Sequence, residues 1–117
     1  MTVTAPDENG PGLTLSQALT GYTSGQNIIL FNVPGNHVDI SGGSLSVDKN
    51  KGPVVIDGGG CSNGQPTLTI DGGPGVNFTL GKGIELRNVR FSGVRLVSSG
   101  TGAKGGNKFS KCVVVTD

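Results

Sequence analysis

The sequence predicts an all-β fold: a parallel β-solenoid of few coils, closed at its N-terminal end by one short helix and organised as a single domain. Three observations predict it. Apolar triplets that read in, out, in recur between glycine-rich corners. The composition favours strands, with 13 valines, only 3 alanines and a single methionine. Glycine, at 22 of 117 residues, supplies the unusual backbone angles that many tight corners demand. With the 6 prolines this content sits just under the level of a disordered chain. Leu, Ile, Val and Phe together number 32, above the roughly 20% below which a chain cannot bury enough apolar surface to fold.

Taken in order, residues 1–26 read as an N-terminal cap. Leu15, Ala18 and Leu19 fall at helical spacing, with Thr14 as N-cap and Gly21 as stop. A helix there would plug the apolar interior and unpaired backbone of the first coil. Residues 27–97 read as the coils. Ile28-Ile29-Leu30-Phe31 is a first strand ending at Pro34-Gly35. The triplets follow: Val38–Ile40, Leu45–Val47, Val54–Ile56, Leu68–Ile70, Phe78–Leu80, Ile84–Leu86, Val89–Phe91 and Val94–Leu96. Three residues bury only two side chains, so such strands are stable only when stacked. They are short for ordinary hairpin arms, and no Asn-Gly hairpin is expected between them. Val55-Ile56-Asp57-Gly58-Gly59 echoes Thr69-Ile70-Asp71-Gly72-Gly73, a degenerate internal repeat. A β-sandwich is the rival, but it prefers strands of about 5–6 residues, more widely spaced. Residues 98–108, rich in Gly, Ser, Lys and Thr, read as a flexible loop. Residues 109–117 read as a terminal edge strand.

In its order of elements the chain resembles right-handed parallel β-helix proteins of bacterial surfaces that begin with a CSLREA-type capping segment. The residues that carry the resemblance are Thr2-Val3-Thr4, Gly10 to Leu19, Ile28 to Phe31, Val55 to Gly58 and Leu68 to Gly72. The chain departs from that pattern in having no cysteine before Leu15-Ser16-Gln17-Ala18-Leu19 and no arginine within it. The resemblance implies a secreted or cell-surface repeat protein, often adhesive and usually of many more coils, so the chain reads as the capped N-terminal piece of something longer. Pectate-lyase-like enzymes share the general fold, and fold does not settle function.

Several function classes are set aside. No stretch reaches the roughly 18 apolar residues of a membrane span, and Met1–Gly12 lacks the halves of a secretory signal, so a secreted form is expected to have lost its leader. Nucleic-acid binding would want stacking aromatics, and the chain has one tyrosine and four phenylalanines that read as core. No zinc spacing, calcium nonapeptide or phosphate loop occurs, so no metal or cofactor is expected. Asn88 reads as a corner asparagine and lone His37 as a solvated turn residue with only Asp39 near it in sequence. Cys61 and Cys112 are 51 residues apart, about two coils. Two coils separate backbones by nearly 10 Å, beyond the roughly 7 Å that a disulfide spans. The two thiols are therefore expected to stay free or to pair between chains.

Charge is uneven. Residues 1–80 carry Lys49 and Lys51 against six acidic residues, whereas residues 81–117 carry seven basic residues against Glu85 and Asp117. Arg87, Arg90 and Arg95 alternate with apolar residues and so point outward, where they could join Lys82, Lys104, Lys108 and Lys111 in a basic stripe. An anionic glycan or phospholipid is the ligand such a stripe would attract. Cys112, Val113, Val114 and Val115 lie in the most β-prone segment, whose open edge would be covered by a second copy or by the remainder of a longer chain. The resulting expectation is a non-catalytic structural or adhesive module that self-associates through its last coil. One alternative is a carbohydrate-active enzyme using Asp57, Asp71, Arg87 and Arg90, with the aspartates on one exterior face; the competing role for both is to bond the backbone of their own Gly-Gly turns. The other alternative is a truncated or designed assembly scaffold.

Overall fold

A computed structural model describes residues 1–47, 53–80, 83–98 and 108–116. The chain is mostly β, with one short helix and a curled parallel sheet. In chain order the elements are β1 (Thr2–Val3), α1 (Leu15–Gly21), β2 (Ile28–Phe31), a 3-10 turn (Pro34–Asn36), β3 (His37–Asp39), β4 (Leu45–Ser46), β5 (Val54–Asp57), β6 (Cys61–Ser62), β7 (Gln65–Pro66), β8 (Leu68–Leu80), β9 (Ile84–Ser98) and β10 (Lys108–Thr116).

Among the described residues, all strand pairings but β6–β7 are parallel, and they fall into three stacked ladders. The first stacks β1, β2, β5, the start of β9 and the start of β10, as in Thr2↔Leu30, Ile28↔Val55, Val55↔Glu85 and Lys108↔Glu85. The second stacks β3, the start of β8, the middle of β9 and the end of β10, through His37↔Thr69, Thr69↔Arg90 and Val114↔Arg90. The third stacks β4, the end of β8 and the end of β9, through Leu45↔Phe78 and Phe78↔Leu96. The result is solenoid-like in shape. Stacking explains the short strands: each is held by at least one parallel neighbour in its ladder, so a strand need bury only two side chains per level.

Every apolar triplet read from the sequence points both ends inward. Val38, Val54, Ile56, Ile70, Phe78, Ile84, Leu86, Val89, Phe91 and Val94 are fully buried, and Leu96 packs partly buried against them. The rings of Phe78 and Phe91 meet at 5.9 Å. Each such side chain contributes about 1.5–3 kcal/mol by leaving water. The helix also forms where expected. Thr14 accepts from the Gln17 backbone N–H while the Gln17 side chain accepts from the Thr14 N–H, a reciprocal cap. Leu15, Ala18 and Leu19 are buried, and α1 packs on β1 and β4, the first strands of two ladders.

Corners turn where the sequence places Gly and Asn. Asn88 takes φ 53° between Arg87 and Val89. The Gly58 backbone lies so close beneath it that a Cβ there would collide with the Asn88 carbonyl oxygen. At the next corner, Gly93 at φ 68° stacks on Gly73, again backbone on backbone.

Two expectations are corrected. The chain does contain a hairpin: β6 and β7 pair antiparallel around Asn63 and Gly64, both at positive φ, the backbone that a two-residue hairpin loop needs. And Cys61 and Cys112 form a disulfide within the chain, with Cα atoms 6.1 Å apart. The estimate of nearly 10 Å assumed that both cysteines lie on the ladders. Cys112 does, one level beyond Asn88, between the pairs Lys111↔Arg87 and Val113↔Val89. Cys61 sits on the hairpin, which leaves the ladder after Gly58 and packs against β9 and β10, so it crosses the intervening level. The terminal strand begins at Lys108, one residue before the expected 109, and the flexible loop expected over 98–108 falls almost entirely outside the described residues.

Candidate functional site

The outward residues of β9 and β10 carry most of the positive charge, and their positions follow from strand alternation. Glu85 and Arg87 face out from the first ladder, Arg90 from the second and Arg95 from the third. Lys108 stacks on Glu85 and Lys111 on Arg87. Lys82 and Lys104 lie outside the described residues. The expected basic stripe is therefore divided among three faces, because β9 turns a corner at Asn88 and again at Gly93.

Nor are these cations equally free. Arg87 donates through Nε to Glu85 at 2.5 Å, and Ser110 of β10 donates to the same carboxylate oxygen at 2.9 Å. The Arg87 hydrogen bond, followed by that from Ser110, holds the Glu85 carboxyl below its ordinary value, and Glu85 in turn raises Arg87. Arg90 donates to the Gln65 side chain of the hairpin at 2.5 Å. Among the described residues, Arg95 has no such partner. It lines a groove of about 560 Å³ with Asn77, Ser92, Thr116 and the backbone of Gly73 to Gly75.

The proposed carboxylate pair is not assembled. Asp57 is in register with Arg87 on the first ladder, whereas Asp71 is in register with Ser92 at the end of the second. The spacing that made their segments look like stacked repeats is a step around one level, from one face to the next. The expectation of both aspartates on one exterior face is thus corrected. Each instead closes its own corner: Asp57 Oδ1 accepts from the Gly59 N–H at 2.8 Å and from Asn88 Nδ2 at 3.0 Å, and Asp71 Oδ1 accepts from the Gly73 N–H at 2.8 Å. Asp39 accepts from the Ser41 N–H and Asp7 from the Asn9 N–H in the same way. Hydrogen bonding by Ser41 lowers the Asp39 carboxyl below its ordinary range.

Asp7, Asp39 and Asp71 also stack in register, followed by Ser92 and Thr116. That column was not read from the sequence, although each step from Asp7 to Asp39 to Asp71 is 32 residues. His37 is drawn into it, with Nε2 at 3.1 Å from Asp71 Oδ2. The residue nearest in sequence, Asp39, is not its partner, because the ladder brings residues about one coil apart together. Among the described residues, no group of three or more His, Cys, Asp or Glu is placed to hold a metal ion, and no helix is long and apolar enough to cross a membrane.

The expected interface residues lie on the last strand. Val113 and Val115 stack inward on Val89 and Phe91, while Val114 stacks outward on Arg90. Val113 and Val114 are half-buried, and Cys112 is engaged in the disulfide, which removes it as a bridge between chains. Phe109 also stacks inward, on Leu86. Comparison with protein-family models, curated proteins and solved structures finds no match to this chain.

Proposed function

We propose that the chain is a right-handed parallel β-helix module of a secreted or cell-surface protein, structural or adhesive rather than catalytic, that self-associates through its C-terminal coil. The observation that carries this reading is the inequality of the two ends. At one end, α1 buries Leu15, Ala18 and Leu19 against β1 and β4. At the other, inward-facing Phe109 and Val115 are 53% and 41% exposed, one level above Leu86 and Phe91, which are fully buried.

An apolar ring left in water forgoes about 25 cal/mol for each Å² it could bury. A second copy presents the same ring. Because the N-terminal end is capped, two copies meet C-terminal coil to C-terminal coil about a two-fold axis, and the assembly closes as a dimer instead of growing head to tail. Three parallel ladders in register support the helical path, and the general preference of parallel crossovers for one hand supports a right-handed one. The Cys61–Cys112 disulfide supports an oxidising, extracytoplasmic compartment. Aspartates committed to separate corners support a module without catalysis.

Sedimentation equilibrium tests the reading. A dimer is expected at on the order of 10 μM, where associations of moderate affinity are populated, with Phe109→Asp shifting the protein to monomer. A wild-type monomer throughout that range overturns it.

A further inference from the structure

We propose that Asn77 is the acceptor of an N-linked oligosaccharide, carried on the outer face of the third ladder. The proposal rests on the secreted location argued above, because this transfer takes place outside the cytosol, in the kind of compartment that the Cys61–Cys112 disulfide favours.

The sequence contains one Asn-X-Ser/Thr triplet in which X is not proline, Asn77-Phe78-Thr79, and such a triplet is what the transferring enzyme reads. Triplets of this kind also arise by chance, and the fold meets three further requirements. The first is direction. Asn77 and Thr79 alternate with Val76, Phe78 and Leu80, which are buried, so amide and hydroxyl leave the core on one face. The second is availability. Asn27 Nδ2 donates to the Pro53 carbonyl at 3.2 Å and Asn88 Nδ2 to Asp57 at 3.0 Å. The Asn77 amide is exposed and, among the described residues, has no partner. The third is room. The corner before it, Gly73-Pro74-Gly75, is exposed, and a Cβ added at Gly75 would meet nothing within 4 Å. Small Ser46 lies beneath Thr79, and Arg95 lies above Asn77. This stretch of β8 is paired with β4 below and with β9 above. The exposure of Asn77 therefore owes nothing to either end of the sheet, and a sugar there leaves the C-terminal coil uncovered.

In the transfer, Asn77 Nδ2 bonds to the anomeric carbon of an oligosaccharide held on a polyprenyl pyrophosphate. The bond from that carbon to the pyrophosphate oxygen breaks, the pyrophosphate leaves with the electron pair, and one amide proton passes to a base of the enzyme. In a strand, Asn77 and Thr79 stand about 6.6 Å apart along the backbone, and β8 is held from both sides, so an enzyme cannot wrap the triplet once the ladder has formed. Transfer therefore precedes stacking. What the fold decides is whether a chain that bears the sugar still closes, and an outward side chain keeps the sugar in water.

Translation of the full chain behind a cleavable leader into endoplasmic-reticulum microsomes tests the site, read by gel mobility before and after peptide N-glycosidase digestion and by mass spectrometry. One glycan is expected, on the peptide that contains Asn77, which enzymatic release converts to aspartate. Asn77→Gln and Thr79→Ala should lose it, and Thr79→Ser should keep it. The glycosylated chain should form its disulfide and resist trypsin as the Asn77→Gln chain does. The proposal is overturned by chain sealed inside the microsomes without a glycan, by a glycan that survives Asn77→Gln, or by a glycosylated chain that stays reduced and trypsin-sensitive while Asn77→Gln folds. Because the leader is supplied, these results do not depend on where the natural protein resides. Cell fractionation that finds the natural protein in the cytosol with free thiols would refute the secreted location, and the acceptor role with it.

Discussion

Removing the disulfide should cost this protein a large part of its stability. The bond closes a loop of 51 residues, and in the chain-entropy treatment a loop of that length restricts the unfolded state by about 4 kcal/mol. A chain of 117 residues has a total stability of about 6–18 kcal/mol, so the single bond stands against about a fifth or more of it. At about 4 °C per kcal/mol for a domain of this size, the double variant Cys61→Ser with Cys112→Ser should melt about 15 °C lower than the oxidised protein. The loss has a local component, since the bond ties the β6–β7 hairpin to β10, the outermost strand. Amide exchange should therefore accelerate first in residues 58–67 and 108–116. Thermal unfolding by circular dichroism, with thiol titration of the unreduced, unfolded protein, measures both quantities. Two titratable thiols in protein prepared without reductant, or a melting point unchanged in the double variant, would refute the reasoning.

Two further outcomes follow from corners and charges. Asn88→Ala leaves a Cβ-bearing residue at φ 53° and removes the hydrogen bond to Asp57; denaturant unfolding should show a loss of about 2 kcal/mol, with Asn88→Gly losing about half as much because glycine tolerates the angle. Glu85 is held below its ordinary 4.5 and Asp39 below its ordinary 3.8. A carboxyl lowered in the folded state stabilises the fold above its unfolded pKa and loses that contribution as the pH falls towards the folded value. Melting temperature should therefore be level from about pH 7 to 5 and decline below about 4.5. Glu85→Gln should lessen the decline, and a decline of unchanged steepness would show that the Arg87 and Ser110 bonds do not set it.

Much of the fold was legible because it is local. A buried triplet needs only alternation, and all eight triplets turn both ends inward. The helix needs only spacing and a cap, and Thr14 provides it. An aspartate two residues before a glycine is enough to specify a turn bond, which Asp57 and Asp71 both make. The hairpin was missed although Asn63-Gly64 signals it, because its arms are only two residues long and carry no alternation to draw notice. Long-range partners were not legible. Ladder neighbours are 18 residues apart at Val76↔Val94 and 33 apart at Leu45↔Phe78, so no single period predicts which residues stack. The pairing of His37 with Asp71, the separation of Asp57 from Asp71 and the division of the arginines among three faces all depend on those unequal lengths.

By itself the sequence determined the material of this protein: which side chains face inward, where glycine or asparagine must turn the chain, and which end carries the positive charge. Hydrophobic alternation and backbone angles act between residues a few positions apart, so the order of residues is enough to read them. The tertiary structure alone decided what those pieces meet. It brought Cys61 across a level to Cys112, tied Arg87 to Glu85 and Arg90 to Gln65, and placed Arg95 on the wall of a groove. Stacking is set by how much chain each turn consumes, and the ten-residue excursion from Gly58 to Thr67 changes that count by an amount no local rule supplies.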